Sequence, residues 1–276
     1  MPVIATRGRP LPDIAPIIPT LMTASPRAPG IALAFAWCGA AVFAGSLLFF
    51  LYSYLITFGR PAESTGIIQP VAIDCVLFTV FALHHSVFAR PAVKTRLAAL
   101  MSGPIERSIY TWIASVLFIV VCAAWRAVPG EFYELSGPAA LVGYAVQLLA
   151  ILLTARSSAR LDVLDLAGVR PFLPPRTRDP FDVARGDPEL AEGAEHVPLV
   201  TTGLYGFVRH PLYFGWMLLV FAAPHMTMTR LTFAVLSTSY LAIAIPFEER
   251  ALIHVFGTHY REYQRRVRWR MLPGVY

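Results

Sequence analysis

The sequence predicts an all-α polytopic integral membrane protein with about five to six transmembrane helices, a C-terminal helical hairpin and a cytoplasmic C-terminal helix. Three observations carry this expectation. The chain has 276 residues, of which 56% are hydrophobic and 14% charged, and its mean hydropathy is +0.58; soluble domains carry about 25% charged residues. Four apolar stretches are long enough to cross a hydrocarbon layer about 30 Å thick as helices. The loops between them are alternately rich and poor in arginine and lysine, the pattern that the positive-inside tendency produces.

The elements follow in order. Residues 1–30 contain Pro2, Pro10, Pro12, Pro16, Pro19, Pro26 and Pro29 with no continuous apolar core. They are expected as a disordered or surface-lying arm and do not read as a secretory signal. The four clear spans are Ile31–Phe58, Ile67–Ala89, Ser108–Val128 and Pro138–Thr154, the last extending towards Ala159. A longer apolar region, Leu212–Phe247, is interrupted at "APHMTMTR", Ala223–Arg230. Pro224 removes a backbone donor and breaks or kinks a helix there, so the region reads as a hairpin whose first leg is short. Val169–Pro198, rich in proline and charge, reads as a loop.

Basic residues fix the orientation. Arg7, Arg9 and Arg27 precede the first span, Arg60 alone follows it, and Arg90, Lys94, Arg96 and Arg107 lie between spans two and three. Only Arg126 marks the next junction, many arginines follow span four, and Arg230 stands alone at the hairpin tip. Arg250, Arg261, Arg265, Arg266, Arg268 and Arg270 end the chain. Both termini and the segment 155–209 are therefore expected in the cytoplasm, with Arg230 near the opposite face or buried at mid-depth. The net charge of +6 belongs to these loops; no nucleic-acid-binding motif accompanies it. Cys38, Cys75 and Cys122 are scattered through apolar stretches and make no disulfide framework.

Polar chemistry gathers in the second half. Arg209-His210-Pro211 opens the hairpin and Glu248-Glu249-Arg250 closes it. A hairpin returns to the face it left, so the two sets should share one polar pocket. Pro211 suits the first turn of a helix and fixes the approach of His210; Tyr213, three residues on, shares the face of His210. The plain alternatives are a snorkelling arginine and a solvated helix end.

The stretch "GLYGFVRHPLYFG", followed by "PFEERALIHVFGTHYREYQRRV" and a closing "MLP", resembles the C-terminal signature of isoprenylcysteine carboxyl methyltransferase-like membrane enzymes. "FALHHSVFARPAVK" and "IERSIYTWIASVLFIV" are similar to the methanethiol S-methyltransferase and NnrU-like branch, as is the "APHMT" tip. Across "SARLDVLDLAG" the chain departs from that branch, with Asp162 and Val163 where an Asn-His pair is expected. The departure bears on the acceptor more than on methyl transfer.

The resemblance implies S-adenosyl-L-methionine as cofactor, bound by Gly203, Tyr205, Arg209, His210, Tyr213, Glu248 and Glu249, with His210, Glu249 and Arg209 as the catalytic set and no metal. Arginine suits a carboxylate through paired hydrogen bonds, and glutamate suits an ammonium or ribose hydroxyls. Methyl transfer is an in-line displacement in which alignment dominates; a thiol or protonated amine also needs a base, for which His210 or a glutamate would serve. Four regions are then expected: the arm 1–30, a four-helix transmembrane region 31–160, a Pro-rich cytoplasmic loop 161–199, and a cofactor-binding hairpin with C-terminal helix, 200–276.

The function expected is S-adenosylmethionine-dependent methylation of a small or lipophilic acceptor, with a thiol first, among membrane lipids, in a bacterial inner membrane. The alternatives are a prenylcysteine carboxylate, a lipid amine, or a non-catalytic NnrU-like protein. Other polar residues are weaker candidates. His84 and His85 are adjacent and diverge by about 100° on a helix, so they do not readily share a metal; one is expected to face the pocket. Asp74 is an intramembrane acid, by default a functional candidate. Glu106-Arg107 reads as helix-start charge plus anchor. Tyr260 and Tyr263 belong to an amphipathic helix, and His254 and His259 are poorly spaced for a metal.

Overall fold

The computed structural model describes residues 30–62, 65–88, 90, 93, 96, 105–159, 163–173 and 199–276. The expected N-terminal arm before Gly30, Arg7, Arg9, Arg27, Lys94, Asp162 and most of the Pro-rich loop lie outside the described residues.

Helices α1 (Gly30–Leu55), α2 (Ile68–Phe88), α3 (Ile105–Ala124) and α4 (Gly137–Ser158) occupy the four expected spans. A short helix α5 (Pro211–Phe221) and a long one, α6 (Met228–Phe256), form the hairpin, and α7 (Thr258–Arg266) follows. Five of these, α1–α4 and α6, are long and apolar enough to cross a membrane. The protein is an all-α polytopic membrane protein. Helices that are apolar all round, as α1 is, have no water-facing stripe to present and belong in lipid or a buried bundle.

The packing falls into two groups tied by α6. Helix α1 lies along α3, which also packs on α2, and α4 lies along α5; α6 touches both α5 and α2. At the α4–α5 crossing Gly215 lets the backbones close up: a Cβ there would stand 3.2 Å from the Ala150 carbonyl oxygen. Small residues serve membrane helices this way because packing, rather than a difference in hydrophobicity from lipid, drives their association. On α6 the fully buried Phe233 is the hub of the core. Its ring lies 5.3 Å from that of Phe50 on α1, 6.2 Å from Phe78 on α2 and 5.1 Å from Trp125 after α3.

Two features differ from expectation. The third span starts at Ile105 and stops at Ala124, short of Val128. Beyond Ala124 the backbone is drawn into side-chain bonds instead of the helix ladder: Asp74 accepts from the Arg126 amide at 2.8 Å, and Thr229 from the Val128 amide at 2.9 Å. The hairpin tip also contains a strand. Strand β1 (Glu131–Glu134), between α3 and α4, pairs antiparallel with β2 (His225–Thr227) at the tip. This two-stranded ribbon is the only sheet among the described residues.

Arg230 sits at the start of α6, buried. Its Nε donates to the Tyr54 carbonyl at 3.0 Å and its Nη2 to the Leu55 carbonyl at 2.6 Å; Nη1 donates to the His225 carbonyl. Tyr54 and Leu55 end α1, so a cation meets carbonyls that no further helical turn satisfies, at the negative pole of the helix dipole. Thr227 completes the joint: its Oγ1 donates to the Phe58 carbonyl and accepts the Arg230 amide, capping α6.

Arg230→Ala is expected to lower stability by about 3 kcal/mol, because it leaves buried carbonyls unpaired. Denaturant unfolding in detergent measures this. Arg230→Lys, which keeps charge but not the fork, should fall between.

Candidate functional site

The site lies where α5 begins and α6 ends, at the open end of the hairpin. A turn at Gly203–Gly206 leads the chain in, with Gly203 at φ +66°. The peptide of Arg209-His210 is then clamped to the tail after α7. The Arg209 amide donates to the Trp269 carbonyl at 2.9 Å, and the His210 amide to Arg270 at 2.8 Å. Pro211, which has no amide hydrogen to leave unpaired, starts α5 at the next residue.

Glu249 is the centre of the ionic arrangement. It is 2% exposed, although it lies in an apolar helix. Its Oε1 accepts from Arg209 Nε at 2.6 Å. Its Oε2 accepts from Arg270 Nε at 3.0 Å and Gln264 Nε2 at 3.2 Å. Arg209 Nη1 donates further to the carbonyls of Val267 and Arg268, at 2.6 and 2.8 Å. One carboxylate thus joins α5, α6, α7 and the tail. Burial works against the charge of Arg270, but Glu249 outweighs it and holds Arg270 above its ordinary basicity.

The tail is also keyed to a gap in α6. Pro246 lies inside that helix and cannot donate to the carbonyl four residues back, at Ala242. The Tyr276 hydroxyl donates to that carbonyl at 3.0 Å and accepts from Arg270 Nη1 at 3.2 Å.

Glu248 has a different environment. Its side chain is 42% exposed. It accepts from the Tyr213 hydroxyl, and its Oε2 lies 3.6 Å from His210 Nδ1. The rings of His210 and Tyr213 stack with centroids 5.4 Å apart and planes within 3°. His210 Nε2 is buried and stands 3.5 Å from Glu249 Oε1, within ion-pair range, but has no hydrogen-bond partner among the described residues. The two adjacent glutamates therefore serve two faces, one turned to the tail and one to the edge formed by His210 and Tyr213.

Of the residues expected from sequence, Arg209, His210, Tyr213, Glu248 and Glu249 come together. Tyr205 is buried beside them and accepts the Tyr263 hydroxyl on its carbonyl at 2.7 Å; Gly203 turns the chain outside this hydrogen-bonded cluster. Tyr260 is buried against Tyr263, and burial, then the charge of Glu249, pushes its hydroxyl above the ordinary range, so it stays neutral. Gln264, Arg270 and Tyr276 were not foreseen. Nothing in the run "RRVRWR" distinguishes Arg270 from its exposed neighbours Arg265, Arg266 and Arg268. His254 and His259 are exposed.

The remaining candidates lie elsewhere. Asp74 is fully buried at the other end of the bundle, bonded to the Arg126 amide. Arg107 is more than an anchor: it forms an ion pair with buried Asp165, and its Nε donates to the Asp165 carbonyl at 2.7 Å. The segment "DLAG" is thereby fastened to the start of α3. His84 and His85 sit near the end of α2, among aromatic rings of α3 and α6.

The chain is similar to known proteins. Residues 190–254 match the isoprenylcysteine carboxyl methyltransferase (ICMT) family. Methanethiol S-methyltransferase 2 of Bradyrhizobium diazoefficiens is 35% identical over 203 residues, covering 74% of this chain and 73% of that protein. Methanethiol S-methyltransferase 1 of the same organism is 32% identical over 213 residues, covering 74% and 67%. The methanethiol S-methyltransferase of Mycobacterium tuberculosis is 33% identical over 201 residues, covering 72% and 77%. No solved structure matches. With an ICMT-type signature at the hairpin and identity extending through most of both chains, the protein belongs to the methanethiol S-methyltransferase family of ICMT-like proteins and is a membrane methyltransferase.

Proposed function

We propose that the protein methylates a small thiol to a thioether, using S-adenosylmethionine bound at the open end of the α5–α6 hairpin. The observation that carries this is the meeting of Arg209, His210 and Tyr213 with Glu248 and Glu249 at that end. Relatives that match over nearly three quarters of this chain, well beyond the residues 190–254 of the family match, are named for methanethiol, which favours a thiol over a carboxylate or a lipid amine.

The residues suit such a donor. It brings an ammonium, a carboxylate, ribose hydroxyls and a sulfonium, and it supplies an electrophilic methyl group. The half-exposed carboxylate of Glu248 is a partner for an ammonium or a ribose. His210 Nε2 is buried, has Glu249 Oε1 at 3.5 Å and makes no hydrogen bond among the described residues, so it has hydrogen-bonding capacity left for a donor group. Arg209 has only Nη2 without a hydrogen bond among the described residues, so it reaches a donor carboxylate through that atom. We read Arg209 and Glu249 chiefly as positioning residues that hold the His210–Tyr213–Glu248 edge, with Tyr205 and Gly203 shaping its approach. The four-region division of the chain is part of the same reading, with 200–276 as the donor-binding unit.

A bacterial inner membrane location is part of this reading, and the arginine alternation supports an orientation with both termini and the open end of the hairpin in the cytoplasm. Reporter fusions after Arg60, Arg107 and Tyr276 should report outside, inside and inside. A fusion after Tyr276 that reports outside overturns this orientation.

The two glutamates should separate. Glu248→Gln is expected to weaken S-adenosylmethionine binding about tenfold, roughly 1.4 kcal/mol, with unfolding unchanged. Glu249→Gln is the more severe: it strands two arginines, and should cost about 3 kcal/mol of stability and abolish binding. Calorimetric titration beside denaturant unfolding reads both; wild-type binding by both variants would remove the donor site from this edge.

Arg209→Lys keeps a charge but cannot reach Glu249 and two carbonyls together. Donor affinity should fall by roughly 1–3 kcal/mol, whereas Arg266→Lys, on the exposed side of α7, should leave it unchanged. Equal effects would remove Arg209 from donor binding and leave it the structural ion pair with Glu249.

A further inference from the structure

A second polar cluster lies deeper in the bundle, where α2, α3 and α6 meet. Tyr240 marks its place on α6, eight residues and so about 12 Å before Glu248. The Tyr240 hydroxyl is 3.1 Å from Ser86 Oγ, and its ring is 6.4 Å from that of His85. His85 Nδ1 in turn is 2.8 Å from the Tyr110 hydroxyl. Ionisable groups within apolar spans are functional candidates by default, because burying them away from water is costly.

His84 is the unsatisfied member. Its ring stacks on Tyr110 at 5.5 Å and 15°, and lies 4.7 Å from the ring of Phe88. Both Nδ1 and Nε2 are buried and have no hydrogen-bond partner among the described residues. A neutral imidazole carries one N–H donor and one acceptor nitrogen, and leaving either unmet away from water is costly. The ligand that would meet such a group brings one acidic hydrogen on an otherwise apolar body. A thiol does this, and sulfur makes favourable contacts with aromatic rings.

We propose that His84 takes the proton of the acceptor thiol, with Phe88 and Tyr110 seating the acceptor and the His85–Tyr110 bond holding that wall in place; this rests on the methyl-donor reading above. The S–H bond breaks, its proton passes to the acceptor nitrogen of His84, and its electron pair stays on sulfur. The thiolate then forms the new C–S bond to the methyl carbon as the donor's own sulfonium C–S bond breaks, that pair remaining on the donor sulfur. The imidazolium afterwards releases its proton to solvent. A base is needed because a free alkyl thiol is mostly protonated at neutral pH.

The test compares methanethiol with methaneselenol, which is already ionised at neutral pH, in the full-length protein in detergent. His84→Gln should lower methanethiol methylation about a hundredfold or more, keep methaneselenol methylation within a few-fold of wild type, and leave calorimetric S-adenosylmethionine binding unchanged. His84→Phe preserves the aromatic stack without either nitrogen and should behave alike. Equal losses for both acceptors, or none, overturn the assignment while donor binding stands. A wild-type protein that binds no S-adenosylmethionine overturns the donor reading, and this assignment with it.

Discussion

A carboxylate buried near the end of an apolar helix decides the organisation of the open end. Glu249 would be costly there alone. It is tolerated because Arg209, Arg270 and Gln264 converge on it from three other segments. The same convergence sets the geometry of the edge beside it: Arg209 and His210 are adjacent, so fixing one fixes the other's approach, and Glu248 is carried to His210 and Tyr213 by the helix that carries Glu249. The edge of His210, Tyr213 and Glu248 is thus a consequence of an ionic knot lying just behind it.

The opposite end solves a related problem with the charges reversed. Arg230 has three backbone carbonyls where Glu249 has charged and amide side-chain donors. Helix α6 begins in a cation that ties it to α1 and nears its end in an anion that ties it to α5 and the tail. Between them Phe233 packs against rings from α1, α2 and the end of α3. One helix therefore registers both halves of the bundle, and the polar cluster at Tyr240 inherits its placement relative to Glu248 from that single rod.

The spans were legible because an apolar run of sufficient length has few fates, and the hairpin because Pro224 interrupts one. The ribbon of β1 and β2 was not, since "EFYE" and "HMT" acquire strand geometry only from each other, across the 90 residues of chain between their paired Glu134 and His225. Of the candidate site, the residues flanking the hairpin could be read from their types and from the fact that a hairpin closes on itself. Arg270 could not: its sequence neighbours carry the same charge, and only three-dimensional proximity to Glu249 separates a network arginine from a surface one. Arg107 and Asp165 hid for the same reason, each being ordinary in its own segment.

Pro246 gives the helix an address. An uninterrupted helix offers the same closed ladder at every turn, so a tail packed along it could slide by a residue or a turn at little cost. The carbonyl of Ala242, left open by the proline, is a single marked position, and the Tyr276 hydroxyl fits that position alone. Proline and tyrosine thereby form a lock and key separated by 30 residues of chain. Losing the proline closes the keyhole, and losing the tyrosine leaves it empty; neither change is neutral while the other residue remains. Two positions 30 apart in sequence are in this way coupled through one carbonyl oxygen.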